Sequence, residues 1–158
     1  MNVIKLVLLS AFIGVTFQDL KERAVYWFLF PVIGICAGIL MYQETLPSLF
    51  FETIVTNLLF VGLLIGGIYV YATYKLKIKL SDAFGLGDGL LFVALVFSFA
   101  PLTFIVVFVF GLLCSLLLHM ILKKSKAETV PLAGYMSLFF VFVFCAHWTG
   151  NLTTVYIL

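Results

Sequence analysis

The sequence predicts an all-α, polytopic integral membrane protein of about six transmembrane helices. Three observations carry that prediction: the apolar composition, the length of the uncharged runs and the clustering of the basic residues. Of the 158 residues, 65% are hydrophobic and only 10% are charged, against roughly 25% charged in an ordinary soluble domain. Uncharged runs at 24–43, 53–74, 89–122 and 129–158 each reach the roughly 20 residues with which a helix crosses a hydrocarbon core. They are continuously apolar, whereas the strands of a membrane barrel alternate over about 10 residues. No linker, internal repeat or low-complexity segment divides the chain, so 1–158 reads as a single transmembrane domain.

The nine Lys and Arg set the course of the chain. Apart from Lys5 they form three clusters: Lys21 and Arg23; Lys75, Lys77 and Lys79; Lys123, Lys124 and Lys126. Cytoplasmic loops collect Lys and Arg, so if all three clusters face the cytoplasm, each stretch between two of them crosses the membrane an even number of times. The first helix, entered from outside, is expected to end near Phe17. It reads as a span rather than a cleaved signal peptide, because no small-x-small site follows it and the stronger positive cluster lies after it. The second helix runs outward from about Ala24, the loop around 43–48 is external, and the third helix returns to Lys75. As one helix, 89–122 would be about 50 Å long at about 1.5 Å per residue, too long for a core about 30 Å thick. Pro101 has no amide to donate and restricts the residue before it, so a break near 100–103 makes two spans. A sixth helix from about Val130 leaves the tail, 150–158, external or interfacial.

Few side chains in such a chain carry chemistry. Cys36, Cys114 and Cys145 are far apart and form no C-x-x-C, so they are expected to be small packing residues rather than metal ligands or disulfide partners. His119 and His147 have no second ligand spaced to join them and read as interfacial. The aromatic residues, 17% of the chain, are expected to be mainly lipid-facing Phe, with Tyr and Trp at the interfaces. No metal, cofactor or nucleic-acid partner is implied.

The three aspartates are more informative. Asp82 reads as a solvated loop charge. Asp19 and Asp88 each sit where a cytoplasmic loop meets an apolar span, on the same face and at similar depth. Two carboxyls sharing one site do not both ionise cheaply, so one holds a proton while the other activates water against a peptide carbonyl. The bland alternative is capping: Asp19-Leu20-Lys21-Glu22 fits a capping box ahead of the second helix, and Asp88 is placed to cap the fourth. Gly85, Gly87 and Gly89 flank the second acid, and as glycines they would allow unusual backbone conformations and the close approach of another chain. A protease needs both, because a helical substrate must be drawn into an extended form before it is cut. They therefore read as substrate-binding positions, the alternative being simple loop and helix-start residues.

Asp19-Leu20-Lys21-Glu22-Arg23-Ala24-Val25 and Gly85-Leu86-Gly87-Asp88, in that order, resemble the two motifs of the type IV prepilin peptidase family. Val130-Pro131-Leu132-Ala133-Gly134 resembles that family's proline-containing stretch at the start of its last helix. The resemblance spans roughly 19–134 and includes the helix count. It implies an aspartyl endopeptidase of the G-x-G-D kind, with Asp19 and Asp88 as its catalytic residues. It further implies prepilin-like precursor proteins as substrates, with membrane lipid as surroundings, a prokaryotic inner membrane as location and cleavage at the cytoplasmic boundary. Larger members carry a cysteine-bearing insertion between the first two helices. Here only 20–23 stand in that place, so the short form is expected, without the N-methylating activity of the larger ones. Tyr26-Trp27 stand where the family often has Pro-Asn, and Leu90 where a Lys commonly follows the second Asp. The competing expectation is a non-enzymatic membrane component, such as a small transporter or a pilus or secretion assembly subunit. A transporter would be expected to show paired broken helices or repeats.

Overall fold

The computed structural model describes residues 2–77, 85–122 and 130–150. All regular elements among them are helical: α1 (Asn2–Glu22), α2 (Leu29–Glu44), α3 (Pro47–Tyr71, extended by a π turn at Ala72–Leu76), α4 (Leu86–Leu95), α5 (Pro101–Leu122) and α6 (Leu132–Trp148). By length and apolarity, α1, α5 and α3 with its extension are able to cross a membrane. The all-α membrane class and the six helices therefore stand. Lys79, Asp82, Lys123, Lys124, Lys126 and the tail after Gly150 lie outside the described residues.

Two helices start away from where the sequence places them. Helix α1 continues past Phe17 to Glu22, since 18–22 holds no breaker and consists largely of fair helix formers. It ends where Arg23 turns left-handed, at φ 56°, in the position usually taken by Gly. The chain then turns through 24–28, held by the Tyr26 amide donating to Gln18 Oε1 at 3.0 Å, and α2 starts at Leu29 rather than near Ala24. The break expected at Pro101 is present but earlier. The turn occupies 96–100, and Pro101 is the first residue of α5, where its missing N–H costs nothing.

Helix α4 is thus shorter than a span: its 10 residues rise only about 15 Å, half the thickness of a hydrocarbon core. An irregular turn is tolerated at such depth only when protein surrounds it. Here Val96, Ser98, Phe99 and Ala100 are all buried. The fully buried Asn57 of α3 donates from Nδ2 to the carbonyls of Val96 at 2.9 Å and Phe99 at 3.0 Å. One amide side chain therefore satisfies two buried carbonyls of the turn itself.

The core is aromatic, which corrects the expectation of mainly lipid-facing Phe. Phe12, Phe92, Phe99, Phe104, Phe108, Phe140 and Phe144 are all less than 2% exposed. Phe12 of α1 and Phe99 of the buried turn both pack on Phe140 and Phe144 of α6, with ring centroids 5.0–6.1 Å apart, in the range of favourable ring pairs. In lipid, solvent does not favour an inward Phe over an outward one, and shape complementarity decides. On α1 the buried residues are Leu8, Ala11, Phe12 and Val15, the i, i+3, i+4, i+7 stripe of one helix face. That face lies antiparallel against α6, with Lys5 Nζ 5.0 Å from the centre of the Trp148 ring at one end and Asp19 beside Gly134 at the other. The three cysteines are free, and Cys145 is exposed rather than packed.

Candidate active site

Asp19 lies in the last turn of α1, not at the start of α2, whose N-cap position is Phe28 with no side-chain cap bond. The capping-box expectation for Asp19 therefore fails. A carboxylate at a helix C-terminus is disfavoured by its own helix's dipole, so what holds it comes from elsewhere. Its Oδ2 accepts the amide N–H of Gly134, at 2.6 Å, from the first turn of α6. Asp88, in the first turn of α4, accepts the neighbouring amide of Ala133 on its Oδ1, at 2.8 Å.

Two residues 69 positions apart in sequence are thus brought to consecutive amides of a third segment. Successive backbone nitrogens lie no more than about 3.6 Å apart, so the two bound oxygens are within about 9 Å of each other. That is close enough for the charge of Asp19 to act on Asp88. Both side chains are half-buried. Arg23, one turn beyond Asp19, supplies an opposing charge.

Gly85, Gly87 and Gly89 have ordinary conformations. Gly85 is the N-cap of α4, with φ −66° and ψ 136°, and Gly89 sits in the helix, donating to the Gly85 carbonyl at 3.2 Å. None of the three has positive φ, so the unusual backbone expected of them is not used in this structure. Gly85 matters for space: a Cβ there would lie 2.9 Å from Asp88 Oδ2. Its backbone also hydrogen-bonds the Asp88 carboxylate, which is the N3-to-N-cap half of a capping box. The capping expectation for Asp88 is therefore met in part, by the acid at N3.

A Cβ at Gly87 would meet only the tip of Phe30, at 3.7 Å. Gly87→Ala is accordingly expected to leave stability unchanged or to raise it by up to about 1 kcal/mol, the helix preference of Ala over Gly. Equilibrium unfolding in mixed micelles measures this, and a clear loss of stability would contradict the packing described.

A groove of about 550 Å³ opens between α2 and α4, with neither aspartate and no charged residue in its lining. It begins at Leu90, two residues beyond Asp88, and passes Phe30, Gly34 and Gly38, where Phe97 packs within 3.6 Å of the space a Cβ would take. His119 stands near the end of α5, its ring centre 6.5 Å from that of Tyr135, and His147 near the end of α6. No bond from either to the aspartates is seen among the described residues. What the sequence reading missed is the role of α6: the Val130–Gly134 stretch was noted, but amides that catch carboxylates leave no side-chain signature. Comparison with family models, with curated proteins and with solved structures finds no match.

Proposed function

We propose that the chain is a membrane aspartyl endopeptidase of the prepilin peptidase kind, with Asp19 and Asp88 as its water-activating pair. The observation that supports this best is the convergence of the two acids on the adjacent amides of Ala133 and Gly134. In this reading the pair holds one proton, one carboxyl being protonated and the other ionised. The ionised carboxylate takes a proton from water as the water oxygen attacks the scissile carbonyl carbon, while the protonated partner gives its proton to the carbonyl oxygen. When the resulting gem-diol collapses, the proton taken from water passes to the leaving nitrogen, and the hydroxyl proton returns to the second carboxyl. Neither metal nor nucleophilic side chain is needed. The uncharged groove between α2 and α4 leaves room for an apolar chain segment, as a precursor with a hydrophobic helix and a short basic leader would present. Loss of precursor cleavage in Asp19→Asn and in Asp88→Asn is the test.

One observation favours a second reading. Bonds from two carboxylates to the free amides of α6 are also what a structural tie between three helices would make. In a non-enzymatic assembly component the aspartates would do only that.

The proposed orientation places Lys21, Lys77 and Lys124 on the cytoplasmic side of the cell membrane. Single cysteines replacing each, in a background freed of Cys36, Cys114 and Cys145, are expected to be labelled from that side alone. Labelling of position 124 only from outside, with 77 only from inside, would remove the two-way passage of 89–122.

A further inference from the structure

We propose that the first turn of α6 is the third part of the catalytic site and that Gly134 is its positioning residue, an inference that rests on the protease reading. The first amides of a helix have no partner in their own helix, and those of Ala133 and Gly134 are both given to the aspartates. Because these amides are neighbours on one chain, a single peptide unit sets the spacing between the carboxylate oxygens. The spacing is then independent of how α1 and α4 pack on each other directly. The positive end of α6 also offsets the mutual repulsion of two acids and the unfavourable place of Asp19 at the end of α1.

Contact leaves little room for a side chain at Gly134. A Cβ at this position would lie 3.1 Å from Asp19 Cβ, 3.1 Å from Asp19 Oδ2 and 3.4 Å from the Thr16 carbonyl oxygen. The last of these is ordinary contact, but Asp19 Cβ is fixed to the backbone of α1 and does not swing aside, so Asp19 and α6 would have to shift by a few tenths of an ångström, moving the carboxylate on its amide. The same point is held from the other side: Thr16 Oγ1 lies 3.2 Å from the Gly134 carbonyl and 2.9 Å from that of Phe12, donating to them. Gly134 is thus clasped between the carboxylate and the hydroxyl of residues one turn apart on α1. One oxygen of each aspartate is thereby held on α6, which fixes the direction of both carboxyl groups. A shift of α6 would misdirect both acids together.

The experiment uses the full chain in bilayer or micelle with a pilin-like precursor, comparing wild type, Gly134→Ala, Thr16→Val, Asp82→Asn and the two catalytic Asp→Asn variants. Gly134→Ala is expected to lower kcat by about a hundredfold with KM little changed. Thr16→Val, which keeps volume and branching, is expected to lower it by about threefold to tenfold, and Asp82→Asn to be silent. The chain has only three aspartates, so 13C-carboxyl-labelled aspartate gives three assignable signals. In Gly134→Ala those of Asp19 and Asp88 are expected to move while that of Asp82 stays, a readout that loss of packing elsewhere would not give. Wild-type kcat and unmoved Asp19 and Asp88 signals, in whichever of Gly134→Ala and Thr16→Val folds, overturn the proposal while leaving the protease reading intact. Cleavage by an Asp→Asn variant overturns the protease reading itself.

Discussion

Asp19→Asn and Asp88→Asn are each expected to cut precursor cleavage by about a thousandfold or more, the scale of a lost general acid or base, while the protein still inserts and folds. The geometry makes the substitution discriminating. An Asn side chain keeps an oxygen that accepts the amide of Gly134 or Ala133, now bonded at 2.6 Å and 2.8 Å. The tie to α6 therefore survives, weakened only by the loss of charge assistance. If the aspartates serve merely as ties, stability and any activity fall little. If they share a proton, replacing either leaves no pair, because an amide neither gives nor takes a proton in the required way. Asp82→Asn changes the remaining aspartate and is expected to be nearly silent. Normal processing by either variant, in a reconstituted assay with a precursor that the wild type cleaves, would leave only the structural tie.

How far the sequence led is best seen at particular residues. The class followed from uncharged runs, since lipid admits so few spanning architectures. The break at Pro101 was legible because proline acts locally. Its placement at the start of α5 rather than inside the turn was not, because that depends on Asn57, some 40 residues away, reaching the carbonyls of Val96 and Phe99. The two acids were found as side chains at span boundaries. Their common holder was not found as such, because the donors are backbone amides and every residue but proline has one. Only Gly134, where the close approach crowds a Cβ, left a trace in residue type, and one glycine among 12 does not announce itself. The inward Phe rings were misplaced for a related reason: hydropathy distinguishes lipid from water but not lipid from a protein interior.

Asn57 carries the second large effect, on stability. Its side chain is 0% exposed and makes both of its hydrogen bonds to the turn that ends the half-length α4. Asn57→Leu replaces it with an apolar side chain of the same branching, though larger, and leaves two carbonyls without that donor among buried neighbours. A buried polar group left unsatisfied costs about 1–3 kcal/mol. Helix-to-helix hydrogen bonds measured in membranes average about 0.6 kcal/mol, because the unfolded chain in lipid also finds partners. Against the loss stands a small gain: Asn57 Oδ1 has no hydrogen-bond partner within the described protein, and Leu removes that atom too. The balance expected for Asn57→Leu is a loss of about 2 kcal/mol by equilibrium unfolding in mixed micelles. Asn57→Asp is the sharper case, since it keeps the shape but turns an acceptor toward two acceptors and is expected to lose more. An Asn57→Asp variant as stable as wild type would mean that the turn at 96–100 holds itself. Helix α4 ends at that turn and carries Asp88 in its first turn, so a loosened turn frees one of the two acids along with it. Cleavage is accordingly expected to fall in the order wild type, Asn57→Leu, Asn57→Asp, although Asn57 is on α3 and the turn it holds begins eight residues beyond the carboxylate it unsettles.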